Sequence, residues 1–133
     1  MKSYRDLEIY RIPYQFAIKV HKMALTLPQY EMYEQGSQVR RYSKSIKDNF
    51  VEGYGRRRYK NEFIRFLIFA HASCDEANSQ LVMIDEIHFE SKGLKELISD
   101  YEVLGRRISK FIDYVENTGM KRTSNLQPVT CNL

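Results

Sequence analysis

Eight cations carry the first chemical suggestion in this 133-residue sequence. Arg40, Arg41, Lys44 and Lys47 are spaced through one segment, and Arg56, Arg57, Arg58 and Lys60 crowd the run GYGRRRYKN. Guanidinium and ammonium groups neutralise phosphates and release the counterions condensed on a nucleic acid, so such a group predicts binding that weakens steeply with salt. Tyr42, Tyr54 and Tyr59 are interleaved with them, and tyrosine rings can stack on unpaired bases. Between Gly36 and Arg65 nine basic residues meet three acidic ones; the whole chain carries +4, so the remainder is net −2. A local excess of one sign points to an anionic partner. The same residues also fit a plainer use, a solvated helix face followed by a polar turn.

Catalysis has a thinner basis. Arg65 and His71 stand at an R-x5-H spacing found in some helical ribonucleases, and His71 with Asp75 at i and i+4 can share a helix face. Hydrolysis needs several convergent groups, however, and no histidine pair or second carboxylate stands at metal spacing. The expectation is a protein that is not an enzyme and holds no cofactor or metal. His21 and His88 read as packing residues. Gly53-Tyr54-Gly55-Arg56 superficially resembles a phosphate-cradling loop, but it lacks the Gly-Lys-Ser/Thr ending and follows no strand, so a glycine helix cap is its better use.

The elements that must position these groups are helices. Glycine and proline are scarce, 6 and 3 residues, and the apolar residues recur at helical rather than alternating period. The expected fold is all-α, one domain over residues 1–117, with helices at about 6–27, 35–53, 60–89 and 94–117 and a disordered tail at 118–133. In the first helix Asp6 is a candidate N-cap, and Ile9, Pro13, Phe16, Val20, Met23 and Leu27 form one row beside Tyr10, Tyr14, Ala17 and Ala24. Pro13 implies either a regular helix that starts near it or a kink there. The second helix sets Val39, Tyr42, Ile46 and Phe50 on one side and Arg40, Lys44 and Lys47 about 120° away. The third carries Phe63, Leu67, Ala70, Cys74, Ala77, Leu81, Ile84 and His88 as a heptad-like seam, and the fourth carries Leu94, Leu97, Tyr101, Leu104, Ile108, Phe111 and Val115. Gly105 interrupts the latter, as a close helix crossing would require. Ile64, Phe66, Ile68 and Phe69 add more apolar surface than one seam uses, which predicts a central helix or cover by another subunit.

No run approaches the roughly 20 apolar residues that span a bilayer, and MKSYRDLEIY has no signal-peptide character, so a soluble cytoplasmic location is expected. Cys74 falls on a core seam and Cys131 in the tail, a poor basis for a disulfide.

Several runs together resemble a known family. QVRRYSKSI at Gln38 to Ile46, N-x-x-E-G-Y-G-R-R at Asn49 to Arg57, EFIRFL at Glu62 to Leu67 and SQL at Ser79 to Leu81 are similar to the signature of the bacterial four helix bundle protein family. DLEIY near the start and the Leu27-Pro28 pair also fit. That family includes the 23S rRNA-intervening sequence proteins and is related to the accessory variability protein of diversity-generating retroelements. Lys47 stands where members commonly have proline, and Pro13 is uncommon among them. The resemblance implies an up-down-up-down bundle of left-handed twist, a homopentameric ring, and binding to nucleic acid, RNA ahead of DNA. The alternative it leaves open is a protein-interaction scaffold for a polymerase or reverse transcriptase.

Overall fold

A computed structural model describes residues 3–89 and 92–118, with side chains from Ser3 to His88 and from Gly93 onward. Among these residues there are four long helices and no strand: α1 (Glu8–Ala24), α3 (Gln35–Gly55), α4 (Lys60–Ile84) and α5 (Lys92–Asn117), with a one-turn helix α2 (Gln29–Met32) between the first two. The expected tail at 118–133 lies, after Thr118, outside the described residues.

The two heptad seams explain most of the core. Phe63, Leu67, Ala70, Cys74, Ala77, Leu81 and Ile84 of α4 are buried, as are Leu94, Leu97, Tyr101, Leu104, Ile108, Phe111 and Val115 of α5. Large buried side chains of this kind each contribute roughly 1.5–3 kcal/mol when removed from water. At one end Phe50 of α3, Phe63 of α4 and Phe111 of α5 meet with ring centroids 5.9–6.4 Å apart. At that end the Lys60 ammonium also donates to the Glu116 carbonyl at 2.6 Å, meeting an acceptor in the last turn of α5. Along α3 and α4, Gln80 donates to Gln38 at 3.1 Å and the Ser45 and Ser73 hydroxyls lie 2.8 Å apart.

The helix boundaries depart from the sequence reading in several places, and α1 closes at Ala24 rather than near Leu27. The N-cap of α1 is Leu7, not Asp6, because Tyr4–Asp6 forms a 3-10 turn whose own cap is the Ser3 hydroxyl, accepting from the Arg5 amide at 3.0 Å. Of the two expectations for Pro13, a helix start near it is not met: α1 begins at Glu8 and Pro13 is buried inside it, where its ring replaces the amide that Ile9 would otherwise meet. Helix α3 continues through Gly55, so Gly53 lies within its last turn and neither glycine takes the left-handed cap conformation. Beyond Ile84 the chain widens into a π-helical turn, Asp85–Phe89. Buried Asp85 accepts from Lys95 at 2.8 Å there, and His88 Nε2 lies 2.8 Å from Glu31 Oε2, clasping this turn to α2.

The burial of α1 also differs from its expected row. Ile9, Pro13, Ala17, Val20 and Ala24 are buried, whereas Phe16 and Met23 are half-buried. The small residues Ala17 and Ala24 face inward, and Phe16 and Met23 line clefts between α1 and α5.

Candidate nucleic-acid interface

The eight predicted cations form two groups of different character. On α3, Lys44 and Lys47 reach a cleft of about 470 Å³ between α3 and α1, whose other lining residues are Tyr14, Ala17, Ile18, His21 and Lys22. Among the described residues no carboxylate lines it. Arg40 lies close enough that it and Lys44 both act on His21. Desolvation, followed by the Lys44 and Arg40 charges, holds the imidazole below its ordinary value of 6.5, so His21 is neutral at pH 7. One Arg40 guanidinium nitrogen is shut away from solvent without a hydrogen-bond partner. The Lys47 ammonium donates to the carboxylate of the exposed Asp48 and stands 6.0 Å from the centre of the Tyr14 ring. Arg41 projects into a different cleft, with Glu31, Glu34, Gln38 and Gln80.

The turn cations mainly hold helix ends together. Arg56 pairs with Glu52 at 2.9 Å and Glu62 at 3.2 Å, and its guanidinium lies 5.0 Å over Phe66. Arg57 donates to the Tyr54 carbonyl at 2.7 Å and covers the Tyr54 ring at 3.9 Å. Lys60 is committed to the Glu116 carbonyl, and Arg58 is exposed. Lys44 and Lys47 stand at the middle of α3 and Arg56 to Lys60 beyond its C-terminal end, so the two groups are separated along the molecule, with Lys44 eleven residues, about 16 Å of helix, from Gly55.

The tyrosines redistribute as well. Tyr54 is buried in the core against Phe50 and Phe63, Tyr42 is half-buried, and Tyr59 is exposed in the turn. The ring beside the cationic cleft is Tyr14 of α1, 41% exposed. Tyr14, His21 and Lys22 were not singled out as binding residues by the sequence. Their spacing along one side of α1 was visible there, but which side of α1 meets α3 was not.

Arg65 and His71 engage different surfaces. Arg65 pairs with Glu62 at 3.3 Å and lies over the Phe66 and Phe69 rings, while His71 Nδ1 lies 3.6 Å from Asp75 in a polar cleft against Glu102 and Arg106 of α5. The Gly53–Gly55 run is the last turn of α3, where Gly53 packs against α4. Cys74 is buried and its thiol is pushed up to about 12 by desolvation, first, and by Asp75. Among the described residues no group of three or more His, Cys, Asp or Glu side chains could hold a metal ion, and no helix is long and apolar enough to cross a membrane.

These features define an all-helical, bundle-type protein with a cation-lined cleft between two helices. The chain belongs to the 23S rRNA-intervening sequence protein family, whose family model matches residues 5–110. No curated protein matches the chain in sequence.

Proposed function

We propose that the protein is a non-enzymatic, cytoplasmic scaffold that binds nucleic acid, RNA ahead of DNA, through the α1–α3 cleft. The observation that carries this reading is the cleft lining: Lys22, Lys44 and Lys47 converge from two helices, and no carboxylate among the described residues shares the lining, the Asp48 carboxylate that pairs with Lys47 being exposed outside it. Three ammonium groups held this way supply affinity for phosphate with little sequence information. Membership of a family named for 23S rRNA favours RNA. Arg40 borders this surface, Arg41 and Arg58 lie apart from it, and Arg56, Arg57 and Lys60 contribute chiefly to holding the turn.

In this reading the four long helices run up-down-up-down with left-handed twist and the protein assembles into a homopentamer. Pairing of Gln38 near the start of α3 with Gln80 near the end of α4, and of Lys60 with Glu116, supports alternating directions. Repeating a modest site around a ring raises its effective concentration. A second reading, a scaffold for a protein partner such as a polymerase, is favoured by exposed Ile68, Phe69, Val82 and Met83 on α4.

The test is RNA retention across a salt series. Lys22→Glu, Lys44→Glu and Lys47→Glu combined should abolish retention at moderate salt, whereas replacing Lys22, Lys44 and Lys47 with Gln should lower the log–log salt slope by about 3. Arg56→Ala with Arg57→Ala should alter it less. Retention unchanged in the Glu variant would overturn the nucleic-acid reading, and capture of one polymerase-type partner that survives nuclease would favour the second.

A further inference from the structure

The floor of the α1–α3 cleft is apolar although its rim is cationic. Ala17 is buried, and Tyr14 and Ile18 remain 41% and 39% exposed between the lysines. A site that only counted phosphates would gain nothing from a phenol ring and a sec-butyl side chain left open to water. The Tyr14 ring also ends an aromatic file. Tyr4 and Tyr10 meet edge to face at 5.0 Å, and Tyr10 and Tyr14 are tilted at 5.7 Å. Each end of that file bears a cation: the Arg5 guanidinium 4.9 Å over Tyr4 and the Lys47 ammonium beside Tyr14.

We infer that this cleft takes a nucleotide of a single strand, with its unpaired base on Tyr14, Ala17 and Ile18 and its phosphates on Lys22, Lys44 and Lys47. The inference rests on the nucleic-acid reading and adds the state of the strand and the side chain that selects it. An exposed ring set among cations matches what a single strand presents, because every base has a stacking face and every linkage a charge. A duplex keeps those faces inside its own stack and offers only phosphates to the rim. A cleft of about 470 Å³ has the dimensions of a small-ligand pocket, enough for a nucleotide and too small for a double helix. Neutral His21 adds a ring with one donor and one acceptor nitrogen for a base edge. The charged groups around that histidine are Lys44 and Arg40 of α3, with Lys22 beside it on α1.

The experiment measures binding of the full chain to a fluorescent oligouridylate of roughly 12 nucleotides, to a blunt RNA duplex of the same length, and to inorganic polyphosphate. Tyr14→Ala should weaken the single strand about tenfold and leave duplex and polyphosphate unchanged, while Tyr14→Phe, which keeps the stacking face, restores wild-type affinity. Ile18→Ser gives an independent reading of the floor should Tyr14→Ala lose helical signal. Equal or no loss on single strand and duplex in both floor variants, with Lys44→Glu/Lys47→Glu still losing both, would overturn base insertion and keep the nucleic-acid reading. Insensitivity of all three ligands to the lysine changes would overturn that reading itself. Tighter binding of polyglutamate than of oligouridylate would reassign the cleft to an acidic protein segment.

Discussion

Helix α4 meets a glycine on each side, and the two crossings are built differently. Opposite Gly53 of α3, an added Cβ would stand 2.8 Å from the Phe66 Cβ and 3.2 Å from a Phe63 ring carbon. Opposite Gly105 of α5, it would meet only the Cys74 sulfur, at an ordinary 3.8 Å. The first glycine sets how closely two helices approach; the second leaves room unused beside the polar cleft that His71, Asp75 and Arg106 line. A glycine inside a helix therefore has no meaning until the atoms facing it are known.

Three substitutions sharpen the contrast. Phe63→Ala removes the ring that joins the α3–α4 contact to Phe50, Tyr54 and Phe111, and should cost about 3–5 kcal/mol in urea-induced unfolding. Gly53→Ala should follow at a net loss of about 1–2 kcal/mol, because overpacking against Phe66 Cβ, an atom tied to the backbone, outweighs the helix propensity gained. Gly105→Ala should reverse the sign, raising the thermal midpoint through about 1 kcal/mol of added stability. A destabilised Gly105→Ala, or a neutral Gly53→Ala, would break the comparison.

The seams of α4 and α5 were legible in the sequence because each apolar repeat runs at one period for six or more positions, a signal that the extra apolar residues of α4, Ile68 and Phe69 among them, do not erase. Helix α1 was less legible: two adjacent rows compete, and Ala17 and Ala24 take the inward side although Phe16 and Met23 are more hydrophobic. Small residues win where the neighbouring helix comes close, which is a tertiary fact. Gly53 was misread for a related reason, since a glycine near a helix end suits a cap and a crossing equally well. In the candidate site the charges of Lys44 and Lys47 were plain, but their companions Tyr14, His21 and Lys22 come from a helix more than twenty residues away. The partner that occupies Lys60, the Glu116 carbonyl, is 56 residues away, which no local pattern reveals.

The clefts between α1 and α5 have a consequence for how the chain is made. Its strong helix contacts join α1 with α3, α3 with α4 and α4 with α5, and α1 against α5 is the sparsest of the neighbouring long-helix pairs. Most native contacts therefore lie between segments close in sequence, the low contact order that goes with rapid folding. During synthesis α4 and α5 each emerge to find their principal partner, α3 and α4 in turn, already complete, and closure of the first helix on the last is left as a weak final step.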